Sequence, residues 1–465
     1  MPYPRHLLRT LVSGAAVLIL PLTALTTLAG PAGSAEPVER SGASSAPEAT
    51  AGSTVRDPHG DREPSATEVR TVDGTNVVFA YGEVMPAFEG WSTREPTRGY
   101  VSLDRRWKFA YDTDNVGETA GWFRPGFDDS RWGDIKVPSS WDLKDNDGWA
   151  GYDGADFGKG GSLVDGYGWY RTKVVIPSNW RDRHVRLNFL GAFYSADVWV
   201  NGTWAGKHEG GHTPFALPVG DALRPGQTAT IAVRVYRAAT YTAYDGSGQA
   251  IADDKALPSG PVDFWPYAGL TRSVWLEAVP EVTVSKLLLD ARDGTLDARA
   301  VVENHGGQVA SARVPIPKAP QWSTKSPTVL NARATLTGRA GGPVTDTLSS
   351  EYGMRCVQVG ADQLLLNGKP LFLKGYNWHE ETDRNGRSMT RAEYDHELGQ
   401  AKPLGANFLR NSVYNRHPYV YDWSDRNGVV LLDEWDTMWV SEPQQRIQLT
   451  YGLSEALATA TAWNY

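Results

Sequence analysis

Between residues 95 and 279, apolar and polar positions alternate in short runs broken by Gly- and Pro-rich turns. Arg171–Ile176, His184–Phe189, Thr228–Val235 and Ser273–Ala278 each read as a strand. Ala196 to Trp204 reads as a hairpin, an apolar strand returning through Asn201-Gly202, the pair that suits a type I′ turn. Many short strands with regular turns predict a jelly-roll sandwich over 95–279. From 280 to 357 the runs Val282–Leu289, Thr295–Glu303, Val309–Val314 and Val329–Leu336 fit a small immunoglobulin-like sandwich. Ile316-Pro317-Lys318-Ala319-Pro320 interrupts that series, so a shortened domain is expected there.

At residue 358 the period changes. Leu364–Gly375 reads as a strand, a tight Asn367-Gly368 turn and a buried strand, with Tyr376-Asn377-Trp378-His379-Glu380-Glu381 at its C-terminal end. Thr390, with Glu393 three residues later, predicts a capping box. Tyr394, Leu398, Ala401 and Leu404 continue at helical spacing until Pro403 ends or kinks the helix. Ala406–Asn411 is the next strand, Tyr419–Arg426 the next helix, closed by Asn427-Gly428, and Val429–Glu434 a third strand. This βαβαβ run predicts parallel pairing, with polar residues gathered at one rim as in a (β/α) barrel. Thirty-one residues follow Glu434, too few for the rest of an eight-stranded barrel. The expected fold is therefore multidomain: jelly roll, immunoglobulin-like sandwich and an incomplete (β/α)8 TIM barrel over 358–465, whose third strand has an edge that nothing pairs.

Residues 1–35 read as an export signal: Arg5, His6 and Arg9, then a mostly apolar run from Leu11 to Leu28, then Gly33-Ser34-Ala35 as the cleavage site. That predicts a secreted protein with no membrane attachment after processing. The Ser-, Ala-, Gly- and Pro-rich stretch that follows predicts a disordered linker and N-terminal extension over 36–94. One cysteine, Cys356, rules out internal disulfides and reads as inert core. A net charge of −8, with no basic run, argues against nucleic acid and anionic membrane as partners. The 18 Trp and 20 Tyr suit either sugar stacking or β-sandwich cores. Asn201-Gly202-Thr203 matches a glycosylation sequon, but the hairpin accounts for it equally well.

Several passages together resemble the N-terminal part of glycoside hydrolase family 2, which includes β-galactosidases, β-glucuronidases and β-mannosidases. They include Leu103-Asp104-Arg105-Arg106-Trp107-Lys108-Phe109, Phe127-Asp128-Asp129-Ser130-Arg131-Trp132, Gly168-Trp169-Tyr170-Arg171 and His208-Glu209-Gly210-Gly211-His212-Thr213-Pro214-Phe215. Asp263-Phe264-Trp265-Pro266-Tyr267-Ala268-Gly269-Leu270-Thr271-Arg272 is similar to the signature that ends the family's sugar-binding domain, and Leu366-Asn367-Gly368-Lys369-Pro370 to the opening of its barrel. The likeness covers nearly all of 95–440, in the family's order.

The resemblance implies retaining hydrolysis of β-linked sugars, with two carboxyl groups about 5–5.5 Å apart across the scissile bond. In the family both are glutamates on later barrel strands, and the acid/base follows an Asn. This chain holds no Asn-Glu dipeptide, so no catalytic residue transfers; the acid/base and nucleophile are expected beyond Tyr465, and the chain alone is expected to be inactive. Four substrate-binding candidates transfer. Arg410 matches an arginine beneath the catalytic carboxylates, the other reading being an interior ion pair with Glu434 or Asp433. His379 matches a substrate-contacting histidine, the other reading being a structural loop residue. Asp263 matches an acid that reaches from the sandwich to the barrel mouth, the other reading being a turn residue. Glu434 is expected to shape the site or pair ionically, and His417-Pro418 to be structural.

In galactosidase-like members a histidine follows two residues after the Asn411 position; here it is Val413, which cannot donate to a sugar hydroxyl, so galactoside specificity is in doubt. The run around Phe264 resembles the glucuronidase version at least as well. Nine scattered histidines show no metal-ligand spacing. No cofactor is required, and Mg or Na enters by family analogy only. The partner expected is a carbohydrate substrate; no oligomeric state follows. The alternative to a β-galactosidase-like or β-glucuronidase-like hydrolase is a non-catalytic carbohydrate-binding sandwich, and a protein-binding adaptor is a third.

Overall fold

The computed structural model describes residues 15–21, 67–88, 94–143, 166–237, 264, 267–304, 308–339, 341–412 and 414–434. Asp263, Val413 and the stretch 36–66 lie outside the described residues.

The first unit is a two-sheet antiparallel sandwich. Its six-stranded sheet runs in the order Thr203–Glu209, Ser195–Val200, Thr228–Arg237, Gly166–Val175, Arg106–Asp112, Gly133–Lys136. The four-stranded sheet runs Phe215–Pro218, His184–Phe189, Val274–Val279, Gly99–Ser102. Their inner faces meet in a core that includes Trp107, Phe109, Trp141, Leu187, Val198, Val233 and Leu276. Burying each such side chain contributes about 1.5–3 kcal/mol. The Asn-Gly hairpin forms as expected: Asn201 and Gly202 both take positive φ, 50° and 82°, the two left-handed positions a type I′ turn demands. Gly206, at φ 158°, sits where a Cβ would lie 2.7 Å from the Tyr81 ring, so the close approach itself requires glycine.

The second unit holds two three-stranded sheets. Thr283–Arg292, Thr295–Glu303 and Gln308–Pro315 form one; Leu330–Thr337, flanked by Val344–Tyr352 and by Ala15–Pro21, forms the other. Leu289, Ala300, Ala334, Leu336 and Leu348 pack between them. Ala15–Pro21 belongs to the apolar run of the expected export signal, and here it pairs in parallel with Leu330–Thr337.

Two expectations need correction. The N-terminal extension is not wholly disordered: Thr67–Val72 and Thr75–Ala80 form a hairpin, and Glu83–Val84 adds to it. Asp73 and Gly74, at φ 48° and 76°, make its turn. Val77, Phe79 and Val84 bury themselves against Leu288 and Val301 of the second unit, while Met85 and Phe88 pack on Leu190 of the first. Those few apolar residues find cover on two neighbours, which local composition does not reveal. Second, Leu364–Leu366 and Lys369–Leu371 are an antiparallel hairpin with a largely exposed return strand, and Val357–Val359 pairs beside it. The first parallel strand comes later, at Gly375–Trp378.

From there the chain runs strand Gly375–Trp378, helix α1 (Arg391–Gly399), strand Phe408–Asn411, helix α2 (Pro418–Asn427), strand Val430–Asp433. The three strands pair in parallel in sequence order. Helix α1 starts on the expected capping box: Glu393 N donates to Thr390 Oγ1 at 3.3 Å, and Thr390 N donates to Glu393 Oε2 at 2.6 Å. Helix α2 is capped by His417, whose Nδ1 accepts from Tyr419 N at 3.1 Å, and ends at Gly428 with φ 70°. Burial pushes the His417 imidazole down to about 3 and Arg272 adds to the effect, so a neutral ring serves this structural role.

Candidate functional site

The parallel register sorts the strand residues by face. Trp378 and Leu409 point to the helices, in a cluster with Tyr394, Leu398, Val420 and Trp423. The opposite face therefore carries Asn377, Arg410 and Leu432, which are register partners across the three strands. His379 lies two residues beyond Asn377, and Glu434 two beyond Leu432, so both fall on that face at the C-terminal rim.

Arg410 donates from Nη2 to Glu434 Oε2 at 2.9 Å and from Nε to Oε1, a bidentate pair whose side chains are 34% and 21% exposed. Of the two acids at the end of the third strand, the arginine takes Glu434. Asp433 lies on the helix side, accepting from Asn411 Nδ2 at 2.6 Å and from the Tyr421 hydroxyl at 2.5 Å. His379 is half-buried, its ring 6.0 Å edge-on from Tyr414. The structure thus joins Arg410 to Glu434 and sets His379 on the same face, while Asp263 is outside the described residues.

Behind the rim lies a buried charge cluster that the sequence reading left unassigned. Arg272, separated by Ser273 from the last strand of the first sandwich, pairs with Glu380 at 2.6 Å, with side chains 2% and 0% exposed. Arg272 also donates to His212 O and to Asn415 O, each at 2.8 Å. Glu380 accepts further bonds from Tyr394 Oη and, at 2.7 Å, from His417 N. Burial alone would raise the Glu380 carboxyl; Arg272, with Arg416 and the Tyr394 hydroxyl, overcomes it and holds the group below its ordinary range. Neighbouring Glu381 shows the opposite balance: burial lifts its carboxyl despite Arg387 and Arg416. Arg387 is buried among aromatic rings, 4.2 Å from the Tyr414 centroid and 5.1 Å from that of Phe264, and donates to His212 Nε2. Arg416 also lies 4.1 Å from the Tyr414 ring centroid and donates to Ser412 O at 2.6 Å. Burial, then Arg387, Arg272 and Arg416, push His212 well below its ordinary range, so it is neutral.

This cluster locks the loops after the first two parallel strands onto the first sandwich. Only residue type hinted at it: adjacent Glu380-Glu381 at a strand end, and an arginine closing the Gly269-Leu270-Thr271-Arg272 run. Among the described residues, no three His, Cys, Asp or Glu side chains converge as a metal site, and no helix is long and apolar enough to cross a membrane.

Comparison with known proteins gives the family. A model described as the sugar binding domain of glycosyl hydrolases family 2 matches residues 100–280, and one described as that family's TIM barrel domain matches 357–460. The β-glucuronidase of Rattus norvegicus is 28% identical over 397 residues, 75% of this chain and 58% of that protein. A β-galactosidase of Priestia megaterium is 24% identical over 427 residues, 81% of this chain and 40% of that protein. Among solved structures, a β-glucuronidase from Ruminococcus gnavus in complex with D-glucuronic acid shares the fold with TM-score 0.66 at 22% identity, covering 82% of this chain and 66% of that one. The chain thus spans less than two thirds of the relatives it matches. A sandwich that closes on Arg272, a parallel sheet whose rim carries Arg410 and Glu434, and two matching family models in the same order make this chain a member of glycoside hydrolase family 2.

Proposed function

We propose that this chain is the N-terminal portion of a secreted, retaining exo-β-glycosidase, and that it acts on β-glucuronides rather than β-galactosides. The middle unit is read as the family's immunoglobulin-like sandwich, and the three parallel strands as the first part of its (β/α)8 barrel. The observation that carries the reading is the bidentate Arg410–Glu434 pair on the same strand face as His379. In this reading a pyranose ring rests on that rim, with Asp263 reaching in from the sandwich. The proton donor and the nucleophile are then not supplied by these 465 residues, which contain no Asn-Glu dipeptide.

Two observations favour the uronate. Val413 stands where galactosidase-like members carry a histidine, and most of the relatives described as enzymes here are β-glucuronidases. Export rests on the charged, apolar and small-residue order of residues 1–35.

Calorimetric titration of the purified chain with D-glucuronate and D-galactose tests the reading, alongside turnover of the two 4-nitrophenyl β-glycosides. Weak binding of glucuronate and no turnover is the expected result. Preference for galactose refutes the specificity, and binding of neither sugar refutes the half-site. Turnover refutes the assignment of the catalytic pair elsewhere.

A further inference from the structure

The outer face of the six-stranded sheet carries a row of three cations. Trp107, Phe109, Ile135 and Val174 point into the core, so Arg106, Lys136 and Lys173 point out, and all three are exposed. Arg106 and Lys136 are register partners. The ladder between Arg106–Asp112 and Gly166–Val175 sets Lys108 opposite Arg171, and two residues further along it sets Arg106 opposite Lys173. Arg105 closes that corner, its Nη2 donating to Lys173 O at 2.8 Å. Three adjacent strands thus present Lys136, Arg106 and Lys173 in a line about 10 Å long. Like charges set directly opposite one another across a sheet are destabilising. Two residues along, the same face shows the ordinary arrangement: Lys108 pairs with Asp134 at 3.1 Å, and Arg171 with Asp129 at 2.8 Å. Among the described residues, no carboxylate forms an ion pair with any member of the row. Asp104 feels Arg94 and Lys136, but it is already bonded to Val274 N at 2.9 Å.

In a chain of net charge −8, an unpaired cationic row is a local exception that attracts anions. The line is too long for a single carboxylate or phosphate, so its complement is a polymer that carries charges in sequence. The same outer face also offers aromatic surface. Trp132 immediately precedes the strand Gly133–Lys136 and packs over Trp169, and its ring centroid lies 5.5 Å from that of Phe127. Both rings are half-buried. A chain of uronate sugars brings a ring for such a surface and a carboxylate for the cations in every unit. A nucleic acid brings rings and charges too, but its denser phosphate charge meets a net-negative protein everywhere beyond the row. We propose that this face is a docking surface for an acidic polysaccharide, its carboxylates along Lys136, Arg106 and Lys173 and its sugar rings beside Trp132. The surface is separate from the rim. Tyr167, near the other end of the Lys173 strand, packs with Tyr414 of the barrel segment, and Lys173 lies six residues on, about 20 Å away. The docking does not depend on which sugar the rim takes.

The probe is immobilised polygalacturonate, with dextran as its neutral match and a single-stranded oligothymidylate as the other polyanion, each titrated with the full chain by interferometry at about 0.05 M salt. Saturable binding to polygalacturonate is expected, at least about tenfold tighter than to dextran and weakening steadily as salt is added. Combining Arg106→Ser, Lys136→Ser and Lys173→Ser should lower that affinity by about tenfold. Combining Lys318→Ser, Lys325→Ser and Lys402→Ser removes the same charge from exposed positions elsewhere, and affinity should stay within about twofold of the parent. Lys136→Glu alone should cost about threefold, which keeps the test decisive if the triple row variant does not fold. No saturable binding, equal affinity for dextran, tighter binding of the oligothymidylate, unchanged affinity in the row variants, or an equal loss in the control variant overturns the proposal.

Discussion

Replacing Arg272 by Met tests whether the sandwich holds the rim through one buried charge pair. Both partners are at most 2% exposed, so Arg272→Met leaves the buried Glu380 carboxylate without its ion-pair partner. Breaking a buried pair from one side costs about 3–5 kcal/mol. Arg272 also surrenders its bonds to His212 O and Asn415 O, adding about 1 kcal/mol each. The single variant should therefore lose about 5–7 kcal/mol from the unit that unfolds with the junction. Adding Glu380→Gln removes the orphaned charge while the glutamine can still accept from Tyr394 Oη and His417 N. The double variant should be more stable than Arg272→Met alone by about 2–3 kcal/mol, and with the Glu380→Gln single variant a double-mutant cycle gives the coupling. Because the chain has several units, urea unfolding should be followed by hydrogen exchange in residues 376–381 and 412–417 rather than by a global signal. Glu380 is held below its ordinary range in the fold, so its contribution is present above the unfolded carboxylate pKa and fades as pH falls through the folded value. The contrast between variants should be largest near neutral pH and smaller in acid. An Arg272→Met chain within 1 kcal/mol of the parent, or a double variant as unstable as the sum of the singles, would refute this reasoning.

Asp422 on α2 is pushed up to about 7, by burial first and by Glu351 and Asp425 next, against Arg426 and Arg391. Its folded pKa lies above the unfolded value, so it favours the fold in acid, and that advantage is lost as pH rises from about 4 to 7. A rise from about 4 to about 7 sets a ceiling of about 4 kcal/mol, which water at the partly exposed carboxyl reduces. Asp422→Asn should therefore raise the unfolding free energy from urea titration at pH 8 by about 1–2 kcal/mol and change little at pH 4; an unaltered pH dependence refutes it. A chain beginning at Glu36 should melt within about 2 °C of the full chain if residues 1–35 are a leader; a fall of more than about 5 °C would instead make Ala15–Pro21 a working strand of the second sandwich.

Much of this architecture was legible because its causes are local. Period-two alternation located the strands of the first sandwich, Asn201-Gly202 set its hairpin, and Thr390 with Glu393 set the start of α1. Arg410 and Glu434 were singled out, with an ion pair between them among the readings, and the strand register brings them together. What escaped was non-local. The Thr67–Ala80 hairpin depends on cover from two other units, although Asp73-Gly74 was a visible turn signal. Leu364–Leu371 has the expected turn, but its return strand stays largely exposed because no layer among the described residues covers it. The Arg272–Glu380 pair joins residues 108 positions apart, a separation that no periodicity records.

One guanidinium thus stitches three segments that come from two differently built units. Exchange of modules between relatives is constrained by that stitch. A barrel grafted onto a foreign sandwich would receive its own Glu380 without the cation that pairs with it, and the first two rim loops would lose their anchor. Chimeras of this architecture should be cut so that Arg272, Glu380 and Asn415 travel as a single inherited set.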